Sequence, residues 1–302
     1  MGYQEFISAV TGAVDQKLEE GVCVHLHTIT KNNGKERQGI TIVKQQINIS
    51  PTIYLEDYYE EYKNGSDIEE VANRIVHFYE KVKFEESWNG DFLKSYKSIG
   101  SRVLFNLINY EKNKKLLEEV PYLRFMDLAI TFYILLEAGE KGTATIMVRN
   151  EHLKEWGIDK RILYRDSQRN SGRLLPAELS TMQSVVEEMM CGKRCCNLFT
   201  RDVRNVVEED TMYVLSNEIK NYGAACMIYE YVLEMIGGKL QENFYILPSS
   251  VHEVIIIPES KSIKGDELNE MIREINETQL DDEEVLADHA YYYDRIQHCI
   301  HG

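Results

Sequence analysis

Four residues that can do acid–base or nucleophilic chemistry lie within five positions of one another: Ser249, Ser250, His252 and Glu253. A serine becomes a nucleophile when a histidine takes its proton and a third group orients the imidazole. The four residues, however, lie between two apolar runs, and serines are common turn formers. We interpret the stretch as a hairpin turn whose side chains make local hydrogen bonds, and a Ser–His hydrolase site is the alternative.

Cys226 is a second candidate nucleophile. It follows Gly223 in the predicted first turn of a helix over YGAACMIYEYVLEMIGG, and a helix N-terminus lowers the pKa of a thiol. Its neighbours Ala225 and Met227 are apolar, and free cysteines are among the most buried residues of folded proteins. Structural packing is our main interpretation of Cys226, and a hydrolase nucleophile is the alternative.

The segment VCVHLHT raises the question of metal binding. Its alternation predicts a half-buried strand with Cys23, His25 and His27 on one face, neighbouring ones about 6.6 Å apart. A catalytic zinc site needs three protein ligands and an open position, and no carboxylate is identified by spacing as a further ligand. We expect no metal and no other cofactor, with these three residues as the candidate ligands in the alternative case.

The stretch CGKRCC contains Cys191, Cys195 and Cys196 but no CxxC pair, so zinc-site spacing is missing. Reduced, partly exposed thiols are the simpler interpretation, and they fit a reducing compartment. The N-terminus lacks the basic and apolar regions of a secretory signal, and no apolar run is long enough to span a bilayer. We therefore expect a cytoplasmic protein that does not bind membranes.

The chain is acidic, with a formal net charge of −16 over 302 residues. Residues 259–295 hold twelve acidic and four basic side chains, a balance of −8 and half of that charge. Such a chain repels nucleic-acid backbones, so nucleic acid is not expected as a partner. No nucleotide-binding glycine motif, H-E-x-x-H or G-x-S-x-G is present either. A protein partner with a basic surface fits this charge.

Hydrophobic periodicity predicts an α+β fold in three consecutive segments, with mixed or antiparallel sheets and helices packed on them. The segments are an N-terminal α+β unit at 1–86, a middle α+β unit at 87–176, and a β-α-β-β-α unit at 177–302. In the last segment, residues 177–204 are predicted to be helical. In the first, Ser66 and Glu69 form a predicted capping box.

The tyrosine-rich run YLEDYYEEY, residues 54–62, has two interpretations that sequence does not separate. Tyrosines contribute much of the binding energy of protein interfaces, so the run could be an exposed recognition strip. Alternatively, it is a sheet edge whose tyrosines pack inward.

Several long blocks of the chain resemble a known bacterial family. They are KNNGKERQGITI, NISPTIYLEDYYEEYKNG, LINYEKNKKLLEEVPYLRFMDLAITFYILL, YGAACMIYEYVLE, YILPSSVHEVIIIP and VLADHAYYYD. In order and over almost the whole chain, these are similar to the signature blocks of family 5688, a domain of unknown function. EHLKEWGIDKRILYRDSQRN and the last hundred residues more faintly resemble a second such family, number 1444. Neither resemblance implies an activity, so neither assigns roles to residues of this chain.

Taken together, these patterns favour a non-enzymatic binding or regulatory protein that acts on a protein partner through an acidic or tyrosine-rich surface. The alternative is a hydrolase that uses Cys226, or His252 with a serine. A weaker alternative is an acidic mimic of nucleic acid. The sequence leaves the oligomeric state open.

Overall fold

A computed structural model of the chain describes residues 1–44, 47, 50–83, 90–139, 142–192, 195–200, 212–261 and 265–302. Within it the chain divides into two compact units. Unit 1 comprises Met1–Phe92 with Glu137–Thr143, and unit 2 comprises Leu93–Leu136 with Ala144–Gly302. The predicted boundary at residue 86 lies outside the described residues, and the three-segment division stays a prediction.

Unit 1 packs helices on a three-stranded antiparallel sheet with the order β1-β2-β3. Its elements are α1 (Tyr3–Asp15), β1 (Val22–Thr30), β2 (Glu36–Lys44), β3 (Thr52–Tyr54), α2 (Glu56–Lys63) and α3 (Ile68–Val82). The apolar face of α1 meets that of α3 over the sheet, because both helices repeat apolar residues at helical spacing. Phe6, Val10, Ile40 and Ile75 are fully buried in this core.

Two predictions for unit 1 are corrected by the local geometry. The N-cap of α3 is Asp67 and not Ser66: the Asp67 carboxylate accepts from the Glu70 N–H at 2.7 Å, and Glu70 completes the capping box. The tyrosine-rich run is mostly the helix α2 and not a sheet edge, since only Tyr54 lies in β3.

Most of a four-stranded antiparallel sheet lies in unit 2, where β6 lies between β4 and β5 and also pairs with β7; the end of β6 and the start of β7, within Glu137–Thr143, belong to unit 1. The elements up to the next sheet are α4 (Tyr96–Ile99), β4 (Val103–Asn109), α5 (Lys114–Glu119), β5 (Leu123–Phe125), β6 (Leu128–Gly139), β7 (Gly142–Met147), α6 (Asn150–Trp156) and α7 (Lys160–Leu174). Gly157 ends α6 in a left-handed conformation, and the Asp159 carboxylate caps α7.

The second sheet of unit 2 has six antiparallel strands in the order β13-β12-β10-β11-β9-β8. Its elements are β8 (Ala177–Thr181), α8 (Met182–Cys191), β9 (Tyr213–Asn217), a 3-10 helix (Gly223–Ile228), α9 (Val232–Leu240), β10 (Phe244–Leu247), β11 (Val254–Pro258), α10 (Gly265–Thr278), β12 (Tyr291–Asp294) and β13 (Cys299–His301). Helix α10 covers one face, where Leu268 and Ile272 pack against Leu247 and Ile257.

Two further predictions are wrong. Residues 177–181 form the edge strand β8 and not the start of a helix, while residues 201–204 lie outside the described residues. The single helix predicted over YGAACMIYEYVLEMIGG is divided into the 3-10 helix and α9, with Tyr231 in a left-handed conformation between them.

The α+β class with antiparallel sheets is confirmed. Among the described residues, no helix combines the length and the apolar composition required to cross a bilayer.

Candidate functional site

Residues 248–253, the 248–253 connector, join β10 to β11, which pair antiparallel as the hairpin interpretation requires. The connector is not a solvent-exposed turn, however. The carbonyl of Ser249 accepts from the Leu286 N–H at 2.8 Å, and the N–H of Val251 donates to the Glu284 carbonyl at 2.8 Å. Ser249 and Ser250 are consequently buried, with 5% and 2% of their surfaces exposed.

The hydroxyl groups near His252 do not form a Ser–His pair. The Ser250 hydroxyl accepts from the backbone N–H of His252 at 3.0 Å and also bonds to the Glu253 carboxyl. The Ser216 hydroxyl donates to the carbonyl of His252 at 2.8 Å. Within the described chain, no serine hydroxyl is bonded to the imidazole, so the nucleophile–base contact of a serine hydrolase is not formed.

The imidazole of His252 is held by groups distant in sequence. Its Nδ1 accepts from the Tyr222 N–H at 3.4 Å, which leaves the ring proton on Nε2. Nε2 lies 3.6 Å from Oε1 of Glu284, and the ring stacks on that of Tyr222 with centroids 5.9 Å apart. His252 is half-buried, so the ring remains open to solvent on one side.

In the His252 region, the side chain whose pKa is shifted by its surroundings is Glu253. Burial raises the pKa of its carboxyl above 4.5, and the nearby Glu284 carboxylate acts in the same direction. His252, the Ser250 hydroxyl and Lys220 oppose the shift without cancelling it. A raised carboxyl pKa extends to higher pH the range in which the protonated group can donate a proton or a hydrogen bond.

The turn after β9 brings Lys220 and Tyr222 to the connector. The Asn217 carboxamide oxygen accepts from the N–H groups of Ile219 and Asn221, and its amide group donates to the Asn221 carbonyl. This turn holds Lys220 and Tyr222 at φ values of 52° and 53°. Such conformations are unfavourable for side chains of this size and are maintained by the surrounding bonds.

Gly223 allows the turn to lie directly against the connector. A Cβ at this position would lie 2.1 Å from the Ser216 hydroxyl oxygen and 2.4 Å from the His252 carbonyl oxygen. The close approach therefore requires glycine. We name the groups brought together here, which are His252, Glu253, Glu284, Lys220 and Tyr222, the His252 cluster.

Lys220 connects the His252 cluster to α8. Its ammonium group pairs with Glu188, which also accepts from the Cys195 thiol at 2.9 Å. These bonds, the thiol first, lower the pKa of Glu188, whereas burial and the hydrogen bond to Glu188 raise the pKa of Cys195. Cys195 is thus held as a thiol that donates a hydrogen bond, a state that is poorly nucleophilic.

Cys226 lies in the 3-10 helix and is fully buried. Burial raises the pKa of its thiol, so the lowering predicted from a helix N-terminus is wrong. The reason is that desolvation disfavours the thiolate more strongly than a short 3-10 turn stabilises it. The apolar packing proposed for Cys226 is the environment observed.

The candidate metal ligands Cys23, His25 and His27 lie on β1 in unit 1. Cys23 and His25 are exposed, and Nε2 of His27 lies 3.5 Å from the Thr41 hydroxyl. Among all described residues, no three histidine, cysteine or acidic side chains gather at one point as metal ligands. The expectation that the purified chain carries no metal stays a prediction.

The remaining cysteines of CGKRCC do not join the His252 cluster. Cys191 ends α8 and is exposed, and Cys196 is half-buried with its carbonyl accepting from the Ser180 hydroxyl. All six cysteines are free thiols.

Tyr291, Asp127, His289 and Asp288 form a second polar cluster that no sequence pattern indicates. The buried Tyr291 hydroxyl donates to Asp127 at 2.5 Å, and His289 lies between Asp127 and Asp288 at 3.6 Å and 3.1 Å. These bonds attach β12 to the loop before β6. Asp127 and His289 are 162 positions apart, so no local pattern could have paired them.

The tyrosine-rich run forms part of the core of unit 1. Tyr59 and Tyr62 on α2 contact the buried ring of Phe6 at centroid distances of 5.1 and 5.4 Å. The run is therefore a packed amphipathic helix with half-buried tyrosines and not an exposed strip.

The acidic segment, in contrast, presents its charges to solvent. Five acidic side chains on α10 are exposed, namely Asp266, Glu267, Glu270, Glu274 and Glu277. We call these five residues the acidic face. In the part of the chain that the structure describes, none of them forms an ion pair.

Comparison with known proteins places the chain in one family. The model of DUF5688, described as a family of unknown function, matches residues 3–295. No curated protein and no solved structure matches. The similarity to family 1444 stays a prediction.

Proposed function

Because the chain belongs to the DUF5688 family of unknown function, we propose a role from its own surface: it is a cytoplasmic, non-enzymatic protein that binds a basic protein partner through the acidic face. No cofactor is required for this role. The acidic face carries the proposal, because α10 has the most negative net charge of the described helices, with five acidic side chains against Arg273 alone.

The positions of these charges are not explained by the stability of α10. Asp266 and Glu267 lie in the first turn, where acidic residues interact favourably with the helix dipole. Glu274 and Glu277 lie near the opposite end, where the dipole disfavours them and the last turn contains no basic residue. Asp266, Glu270 and Glu274 also repeat at four-residue spacing, which costs an isolated helix about 0.2–0.5 kcal/mol per like-charged pair.

Burial of the inner face of α10 offsets these unfavourable electrostatic interactions. Leu268 and Ile272 are fully buried against β10 and β11, so the helix is anchored whatever its outer charges are. An anchored helix whose carboxylates form no ion pair with the described residues presents a rigid surface that is electrostatically complementary to lysine and arginine side chains. Such surfaces steer association and select partners by charge.

The hydrolase alternative has weaker support. In the described chain the Ser–His contact is not formed, and Cys226 and Cys195 both have raised thiol pKa values. The His252 cluster supplies acid–base groups without a positioned nucleophile. Nucleic-acid mimicry is a special case of the proposal, in which the basic partner is itself a nucleic-acid-binding protein.

The test is a pull-down from the native host with wild type and two charge-reversal variants. Glu270→Lys with Glu274→Lys alters the acidic face, and Glu151→Lys with Glu155→Lys is the matched control on the exposed α6 at the same four-residue spacing. Each pair changes the net charge from −16 to −12, since each substitution adds two charges.

We expect mass spectrometry to identify a basic protein that is retained by wild type and by the α6 variant. It should be lost from the α10 variant, and its retention should fall as salt rises from about 50 to about 500 mM. Equal retention by the α10 variant, or no retained basic protein, would contradict the proposal.

A further inference from the structure

The outer edge of β1 in unit 1, nine residues and about 30 Å long, pairs with no other strand among the described residues. The N–H of Lys31 donates to the Lys35 carbonyl at the hairpin end, and the register runs without interruption from Thr30↔Glu36 to Val22↔Lys44. Because hydrogen-bonded and non-hydrogen-bonded pairs alternate, the odd-numbered residues of β1 bond to β2. The even-numbered residues therefore direct their N–H and C=O groups to the open edge.

β1 lacks the features with which proteins usually protect such an edge. Val22–Thr30 contains no lysine, arginine, acidic residue or proline, and its continuous register leaves no room for a bulge. Four other edge strands among the described residues are short or partly covered. β3, β5 and β13 have three residues each, and the carbonyl of Leu179 on β8 accepts from the Leu198 N–H. A long, uncharged, flat edge favours pairing with another strand.

The apolar side chains along this edge are only partly buried. Val22 and Val24 pack partly against the core of unit 1, on the helical side of the sheet. Leu26 continues that row, yet it is 46% exposed while Ile40, its partner on β2, is fully buried. The hydrophobic core of unit 1 therefore covers β2 at Ile40 but does not cover the neighbouring Leu26 on β1. A further strand beside β1 would cover Leu26.

We propose that β1 pairs antiparallel with β1 of a second copy of the chain, across a two-fold axis at Leu26. This register places Leu26 beside Leu26 of the second copy and Val22 opposite its Thr30. The two three-stranded sheets then form one six-stranded sheet. A two-fold axis gives the isologous, self-complementary contact of most homodimers.

The charges at the two ends of β1 favour a second copy as the occupant. Glu19 and Glu20 precede the strand and are exposed, and the exposed Lys35 lies in the hairpin turn that follows it, whereas Lys31 stacks on the ring of Tyr54. Antiparallel pairing brings the acidic end of each strand against the basic end of the other, at both ends of the contact. Between them the strands are uncharged, so two chains of net charge −16 meet where neither carries excess charge.

The experiment is sedimentation velocity on the full chain over about 1 to about 100 µM, a range suited to micromolar dissociation constants. We expect wild type to shift from monomer to dimer over this range. Leu26→Lys and Leu26→Glu should each raise the dissociation constant by about tenfold or more, because like charges then face each other at the axis. Met147→Lys, at a strand position with a similar exposed fraction of 42%, should dimerise as wild type does.

Mixing the two Leu26 variants provides the decisive measurement. A lysine on one copy then faces a glutamate on the other, so an equimolar mixture should dimerise again, which also shows that both variants are folded. A wild type that stays monomeric at about 100 µM would overturn the proposal. So would a dimer that survives Leu26→Lys, or a mixture that remains monomeric.

Discussion

At the scale of single residues, Ser250 shows how burial increases the contribution of a turn serine to stability. Its hydroxyl bonds to the His252 N–H and to Glu253 in a position that is 2% exposed. Ser250→Ala should therefore cost about 1–2 kcal/mol, more than an exposed turn serine would, since it leaves buried groups without a partner. Ile256→Ala should cost about 2–5 kcal/mol, because Ile256 is fully buried in β11.

Urea denaturation of both variants measures this order. If Ser250→Ala kept full stability but abolished partner binding or a host phenotype, Ser250 would have a chemical role and the structural interpretation of the connector would fail.

Gly223 gives a second residue-scale prediction, since its missing side chain is what lets the turn meet the connector. A Cβ there would lie 2.4 Å from the His252 carbonyl oxygen, a backbone atom that cannot rotate away. Gly223→Ala should destabilise the chain by about 2 kcal/mol or more. Gly238→Ala is the control: this glycine lies in α9 with nothing within 4 Å of its Cβ position, so alanine should stabilise by about 0.5–1 kcal/mol. Thermal unfolding of the pair checks the opposite signs.

Glu253 makes the stability of the chain depend on pH. Its pKa in the folded chain is raised above 4.5 by burial, so above pH 4.5 the unfolded chain loses this proton first. The contribution of Glu253 to stability therefore falls as pH rises from 4.5 through the folded pKa. Glu253→Gln cannot ionise and should gain stability relative to wild type between pH 4.5 and about pH 7.

Denaturation at both pH values, with Glu151→Gln as a control at an exposed position, measures this gain. A difference between Glu253→Gln and wild type that does not change with pH would show that burial of Glu253 leaves its ionisation unaffected.

At the scale of elements, the start of α3 shows that a capping pattern is ambiguous by one residue. Ser66 and Asp67 are both good N-cap residues, and each is followed three positions later by a glutamate. Only the Asp67 carboxylate accepts from a backbone N–H of α3. The Ser66 hydroxyl accepts instead from the guanidinium group of Arg74. Asp67→Ala should cost about 0.5–2 kcal/mol and Ser66→Ala less than about 0.5 kcal/mol. Equal losses in thermal unfolding would mean that both side chains cap α3.

At the scale of the whole molecule, limited proteolysis tests the predicted division of the chain into segments. Polar or weakly patterned sequence separates apolar blocks near residues 86–91 and 190–200, and protease cuts first where the chain has few packing contacts. We expect the first cuts there, identified by mass spectrometry of the fragments. First cuts within 212–258 would contradict this, since that range contains β9, β10 and β11 of the six-stranded sheet.

Sequence alone determined the class of fold and most of its elements, because these depend on local periodicity and on end signals. The alternation of VCVHLHT predicted β1, and the two apolar runs that flank residues 248–253 form the antiparallel strands β10 and β11. Burial of an amphipathic face follows directly from such patterns. The same holds for the acidic face, since the inward residues of α10 determine which of its residues point outward.

Only the tertiary structure decided the environments of the candidate site residues. Whether Cys226 is a reactive thiol depends on desolvation, and burial raises its pKa where a helix N-terminus alone would lower it. Whether Ser250 and His252 form a nucleophilic pair depends on partners from residues 216–223 and 284–287, which no spacing reveals. The open edge of β1 is of the same kind: a sequence can predict a strand, but the absence of a neighbour on one side is a property of the assembled sheet.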